Sequence, residues 1–188
     1  MIERSTSLAS LPAWARTITL VLAGSALMAL SAQVSIPLPF SPVPISGQTF
    51  GVVLVVALLG TRQATLAMIA YLIEGASGLP VFAEHAGGAL WLLGPSAGYL
   101  WSFPLAAYVT GWLLDRGLSR TFAGRLAAVA TGTAAVFAFG WAWLAHVLAN
   151  PATALALGVV PFVVGDVVKT LLAAAIMPAL GLRAARKS

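Results

Sequence analysis

The chain has 188 residues, 60% hydrophobic and only 8% charged, with a formal net charge of +5 and no cysteine. A soluble domain carries about 25% charged residues, so this composition, with a mean hydropathy of +0.97, indicates an integral membrane protein. The missing cysteines exclude disulfides, thiolate metal sites and cysteine nucleophiles. The surplus positive charge fits cytoplasmic flanks of membrane spans rather than nucleic acid.

Six spans are predicted, at about 13–33, 48–60, 63–78, 96–114, 124–148 and 155–180. The first apolar run follows Arg16 and is too long for a signal-peptide core. Spans two and three are shorter than the ~20 residues of an upright crossing, so one of them is thin-set or their turn at Gly60-Thr61-Arg62 is partly submerged. No linker or charge run divides the chain, and residues 1–188 read as a single transmembrane domain. Basic residues set the topology. Arg4 and Arg16 precede or open span one, Arg62 follows span two, Arg116, Arg120 and Arg125 follow span four, and Arg183, Arg186 and Lys187 follow span six. The alternate connections hold no Lys or Arg, which places both termini in the cytoplasm. The expected fold is all-α, with six transmembrane helices and ordered extracytoplasmic loops capping a ligand cavity.

The first outer connection carries Pro37, Pro39, Pro42 and Pro44. Proline fixes φ and removes the backbone donor, so this segment is a stiff extended strap. The second is long, glycine-rich and apolar, with Trp91. It suits either aromatic anchoring at the interface or a lid over a cavity that opens outward. The third, around Asn150-Pro151, is short.

Asp166 and Lys169 interrupt the last span, VVPFVVGDVVKTLLAAAIMPAL. An ionisable residue at mid-membrane costs about 2.5–3.5 kcal/mol on insertion scales. At i and i+3 the two share one helix face. They either form an internal ion pair or jointly grip a polar ligand. Gly165 leaves room beside them, and Pro161 frees a backbone carbonyl one turn earlier. Gln48 and Thr49 open span two as cavity-rim groups or simple helix-start residues. Glu74 reads as an interfacial carboxylate, Glu84 and His85 as solvated loop residues. Gly75-Ala76-Ser77-Gly78 with His146 imitates the serine–histidine pair of rhomboid intramembrane proteases, although no HxxxN element accompanies it. There is no P-loop, and two distant histidines give no metal site. Ser25 and Ala29 form a small-xxx-small pair on span one for docking another helix. Ala128, Gly132 and Ala135 offer a second such face on span five.

Four separated strings, PLPFSPVPISGQTF, GLPVF, LGPSAGYL and PFVVGDVVK, resemble the signature segments of the BioY family, the biotin-binding S components of energy-coupling-factor (ECF) transporters. The resemblance spans about 36–169. Ser96 stands where the family usually has threonine, and a hydroxyl is kept. The resemblance implies a non-enzymatic protein of the bacterial cytoplasmic membrane that captures biotin from outside. It implies as partners a transmembrane coupling protein (the T component) and ABC-type ATPases, with ATP used only by those ATPases and no cofactor in this chain. The family's contact with the coupling protein, small residues on the first helix, is approximated by Ser25 and Ala29. Pairing of two copies of the chain is a further compatible assembly. The resemblance places Asp166, Lys169 and Gln48 at the site. Biotin's cyclic urea has N–H donors for Asp166 and a carbonyl for Lys169, while Phe82, Trp91 and Tyr99 suit its rings and valeryl chain. The biotin carboxylate is left to backbone N–H groups of the glycine-rich loop or to His85. Alternatives are an S component for another small vitamin and the rhomboid-like protease with Ser77 and His146.

Overall fold

The structure is a computed structural model that describes residues 12–180. Its helices are α1 (Ala13–Gln33), α2 (Gln48–Leu59), α3 (Thr61–Ala76), α4 (Ala97–Asp115), α5 (Phe122–Leu148), α6 (Pro151–Gly158) and α7 (Val160–Ile176). Five of the six predicted segments correspond to one helix each. The sixth, expected as one span over 155–180, is instead two helices that meet at Val159 with a 43° bend. The proline strap is not extended throughout. Its ends pair as a two-residue antiparallel ribbon, β1 (Ser35–Ile36) with β2 (Ile45–Ser46), so the prolines ride in a closed loop.

The break in the last span has a local cause. Pro161 has no N–H, so the carbonyl of Leu157 loses its intrahelical donor. Ser41 Oγ in the strap donates to that carbonyl instead, at 2.8 Å. The next carbonyl, Gly158 O, accepts from the buried Tyr99 hydroxyl at 2.7 Å. The bend therefore leaves neither of these two carbonyls orphaned, and it ties α6 to both the strap and α4.

By length and composition, α1 and α5 each suffice to cross a membrane, and α6 with α7 does so as a broken span. At 1.5 Å per residue the 21 residues of α1 reach about 30 Å, and the 12 of α2 only about 18 Å. α2 and α3 turn back on each other through the single residue Gly60, whose φ of +78° suits glycine. Large apolar side chains such as Leu30, Ile73, Val164 and Leu172 stand exposed around the bundle. Such a surface is matched by lipid rather than water. Indoles fix the loops at the strap end: Trp101 Nε1 donates to Leu92 O, Trp143 Nε1 to Gly94 O and Trp141 Nε1 to Pro151 O. At the opposite end the Arg116 guanidinium lies over the Trp112 ring, 4.5 Å from its centroid. This is a multi-pass membrane protein.

The segment 79–95 folds back over the bundle as a lid. Gly88 N donates to Gly75 O at 2.7 Å. Phe82, almost fully buried, inserts against the end of α3 and meets Tyr71 edge-on, with ring centroids 5.4 Å apart. Gly75 makes this possible, because a Cβ there would lie 2.1 Å from the Phe82 ring. Overpacking of this kind costs about 1–3 kcal/mol. Gly75→Val is expected to lower the thermal midpoint of the detergent-purified protein by several degrees. Phe82→Ala is itself destabilising, but the double variant should lose clearly less than the sum of the two single losses, a coupling that a double-mutant cycle by thermal melting reads directly.

Candidate ligand-binding site

One cavity of about 200 Å³ lies between the strap, the lid, α2, α4, α5 and α7, and it collects Asp166, Lys169, Gln48, Phe82, Trp91 and Tyr99 along its walls. These six come from four elements, α2, the lid, α4 and α7, so the fold brings them together. A larger hollow, about 630 Å³, opens at the opposite end beside Arg16, Gly60 and Asp115. One oxygen of its carboxylate is engaged, since Thr61 Oγ1 donates to Asp115 Oδ2 at 2.5 Å.

The charged pair forms the polar part of the first cavity. α7 begins at the break, so Asp166 lies about 9 Å below its first residue rather than the ~16 Å a span from 155 gives. Lys169 Nζ stands 3.4 Å from Asp166 Oδ1, a long ion pair. The ammonium donates most closely to Ser46 O, at 2.6 Å, and also to Thr49 Oγ1 at 3.4 Å. Thr49 Oγ1 in turn donates to Asp166 Oδ1 at 2.5 Å. Two charges in an apolar bundle are thus stabilised by a hydroxyl and a strap carbonyl as well as by each other. Asp166 Oδ2 receives no hydrogen bond from the described residues. None of their fully buried polar side-chain atoms lacks a partner, so Oδ2 is not sealed off, and Asp166 lines the cavity. It is a free anionic acceptor beside an ammonium whose remaining contacts are long enough to exchange.

The other predicted residues have more specific duties than the sequence suggests. Gln48 is buried and spends its amide on neighbours. Ser46 Oγ donates to its Oε1 at 2.9 Å, and its Nε2 donates to Tyr71 OH at 2.8 Å. It braces the floor. Tyr99 is locked, with its ring in a notch at Gly140 and its hydroxyl on Gly158 O, so only its ring is offered to a ligand. Phe82 is a fixed wall, whereas Trp91 is 44% exposed in the lid and lines the cavity from there.

Several expectations are corrected. Ser25 does not face a partner. It is completely buried, and its Oγ donates to Glu74 Oε2 across the α1–α3 contact. Glu74 is therefore a packing partner of α1 rather than a free interfacial carboxylate. Ala29 is half-buried against the core. The exposed alanines of α1 are Ala13 at its first residue and Ala23 and Ala26 further along. The face at Ala128 and Gly132 is also internal, where Thr110 of α4 fills the space a Gly132 Cβ would need. Glu84 is not merely solvated, since it lines the cavity. Ser77 and His146 form no dyad. Ser77 Oγ donates to Glu74 O in the last turn of the helix it caps, and the His146 ring lies near Trp143. No cluster of metal-binding side chains exists among the described residues.

Sequence reasoning missed Phe103, Phe137 and Phe162 as walls, and Ser41 as the strap's tie to α6. Two carried a usable signal. Phe162 lies one helical turn before Asp166 and Phe103 one turn after Tyr99, on the same faces.

Comparison with known proteins agrees with this geometry. The BioY family model matches residues 3–186. A biotin transporter BioY from Thermotoga maritima is 41% identical over 152 residues, 81% of this chain and 88% of that relative. A probable biotin transporter BioY from Pyrococcus horikoshii is 37% identical over 155 residues, 82% of this chain and 90% of that relative. A crystal structure of the S-component for biotin from an ECF-type ABC transporter superposes with a TM-score of 0.81, at 29% identity over 89% of this chain and 91% of that one. The matched length and the shared fold make this chain a member of the BioY family.

Proposed function

We propose that this chain binds biotin from the outer side of the bacterial cytoplasmic membrane and passes it inward as the S component of an ECF transporter, without catalysing a reaction itself. The observation that carries this reading is the free Asp166 Oδ2 beside Lys169 Nζ at the floor of an aromatic-walled cavity. Biotin's cyclic urea offers N–H donors to the carboxylate and a carbonyl to the ammonium, and charge-assisted bonds of this kind are the strong ones. The ring of Tyr99 and the walls at Phe82 and Phe162 suit the fused rings and the aliphatic chain. Relatives similar to this chain bear the name of biotin transporter, and a solved structure similar to it is a biotin S-component.

Transport energy comes, on this reading, from ATP bound by partner ATPases through a transmembrane coupling protein. The exposed Ala23 and Ala26 on α1 let a partner helix approach closely. They replace Ser25 and Ala29 as the expected contact.

Equilibrium binding of labelled biotin to the purified protein tests the site. Asp166→Asn and Lys169→Met should each weaken binding by about thirtyfold or more, the loss of a hydrogen bond to a charged group, and other small vitamins should not compete. Parent-like binding by both variants, or stronger competition by another vitamin, contradicts the assignment. Because the chain lacks cysteine, single substitutions report topology cleanly. Ala89→Cys should react with an impermeant maleimide on intact cells, and Ser119→Cys only after permeabilisation. Ala23→Trp should keep biotin binding while losing copurification with the coupling protein. A variant that still assembles removes α1 from that interface.

A further inference from the structure

The charges around the cavity are unevenly placed. Its lining includes three ionisable side chains of fixed charge: Asp166 and Lys169 at the floor, and Glu84 in the lid. Lys169 is already committed to Ser46 O, Thr49 Oγ1 and Asp166. The described arginines, Arg16, Arg62, Arg116, Arg120 and Arg125, sit in the first turn of α1, in the first turn of α3, and in the α4–α5 connection or the start of α5, all at the far end of the bundle. The field at the mouth is therefore that of an acid.

Glu84 is held at that mouth deliberately by the backbone. Glu84 and His85 both adopt left-handed conformations, with φ of 60° and 59°, which are uncommon outside glycine and asparagine. The strain is retained because the lid is clamped from α1. Gln33 Nε2 donates to Phe82 O at 3.1 Å, while Gln33 Oε1 accepts from His85 N at 3.1 Å. A strained position that neighbouring bonds over-determine points to a role for the residue placed there. The His85 backbone is used by the clamp, and His85 does not line the cavity.

We propose that the cavity reads its ligand by the polar head alone and prefers a neutral or cationic tail to a free carboxylate, so that amide-linked biotin conjugates are ligands of this chain alongside the free acid. This rests on biotin being the ligand, head down at Asp166 and Lys169. An amide tail removes the negative charge facing Glu84 and adds an N–H that a carboxylate can accept. An amine-bearing tail gains attraction at the same place, weakened by salt because the mouth is open to solvent.

The test uses the purified full chain and three ligands that differ only at the tail: biotin (anionic), biotinamide (neutral) and N-(2-aminoethyl)biotinamide (cationic). Affinity should rise in that order, with about three- to tenfold between the extremes at low salt, the scale of a solvent-exposed charge interaction. Glu84→Gln should compress the spread, and Glu84→Lys should reverse it. If biotin binds tightest of the three, the proposal is overturned. Loss of that advantage in His85→Ala would then identify the group that reads the carboxylate. An order that ignores the charge at position 84 overturns it equally. If none of the three binds, the biotin reading itself is wrong, an outcome distinct from either of these.

Discussion

The structure turns on the cost of keeping a carboxylate and an ammonium inside an apolar bundle. Neither charge is stable there without partners, and their mutual contact, 3.4 Å, is too long to suffice. The remaining partners come from one place, the junction of the strap and α2. Thr49 supplies a hydroxyl to Asp166, and Ser46 supplies a carbonyl to Lys169. The strap must therefore close where it does for α7 to keep its charges, and the pair of charges in turn fixes the end of the strap. A ligand that enters the cavity meets a polar group already half satisfied, with Asp166 Oδ2 left over for it.

The same economy shapes the rest of the cavity. A proline in α7 releases the Leu157 carbonyl, and the strap's Ser41 takes it. The bend exposes the Gly158 carbonyl, and Tyr99 takes that one. Glycines at 75 and 140 admit the rings of Phe82 and Tyr99 to depths no other residue would allow. Each aromatic wall is thus immobilised before a ligand arrives, which lowers the ordering cost of binding. Trp91 is the exception. It stays partly exposed in the lid, where an opening must exist for anything to enter.

Much of this was legible in the sequence because membranes impose simple rules. Length and hydropathy located the helices, and arginine placement ordered them. The Asp166–Lys169 pair stood out because an ionisable residue in a span needs a reason. Pro161 also marked the freed carbonyl, though not that Ser41 would accept the role of donor. What the sequence hid was rotation about helix axes. In α1, alanine and serine recur so often that the small-residue pattern does not say which face turns inward. The pattern points Ser25 at a partner, yet its hydroxyl is fixed by Glu74, 49 positions away. The position of Glu84 was hidden for another reason. A loop of glycines and apolar residues gives no periodicity, and its path depends on Gln33, a residue from a different helix.

The central claim is that the polar head of the ligand lies on the Asp166–Lys169 floor with its chain toward the lid. A crystal structure of the chain with biotin tests this most directly. The account predicts a ureido nitrogen within about 2.7–3.2 Å of Asp166 Oδ2 and the ureido oxygen within similar reach of Lys169 Nζ, with the carboxylate at the mouth near Glu84. A bound biotin whose carboxylate occupies the floor, or whose ureido ring lies away from both residues, would contradict it.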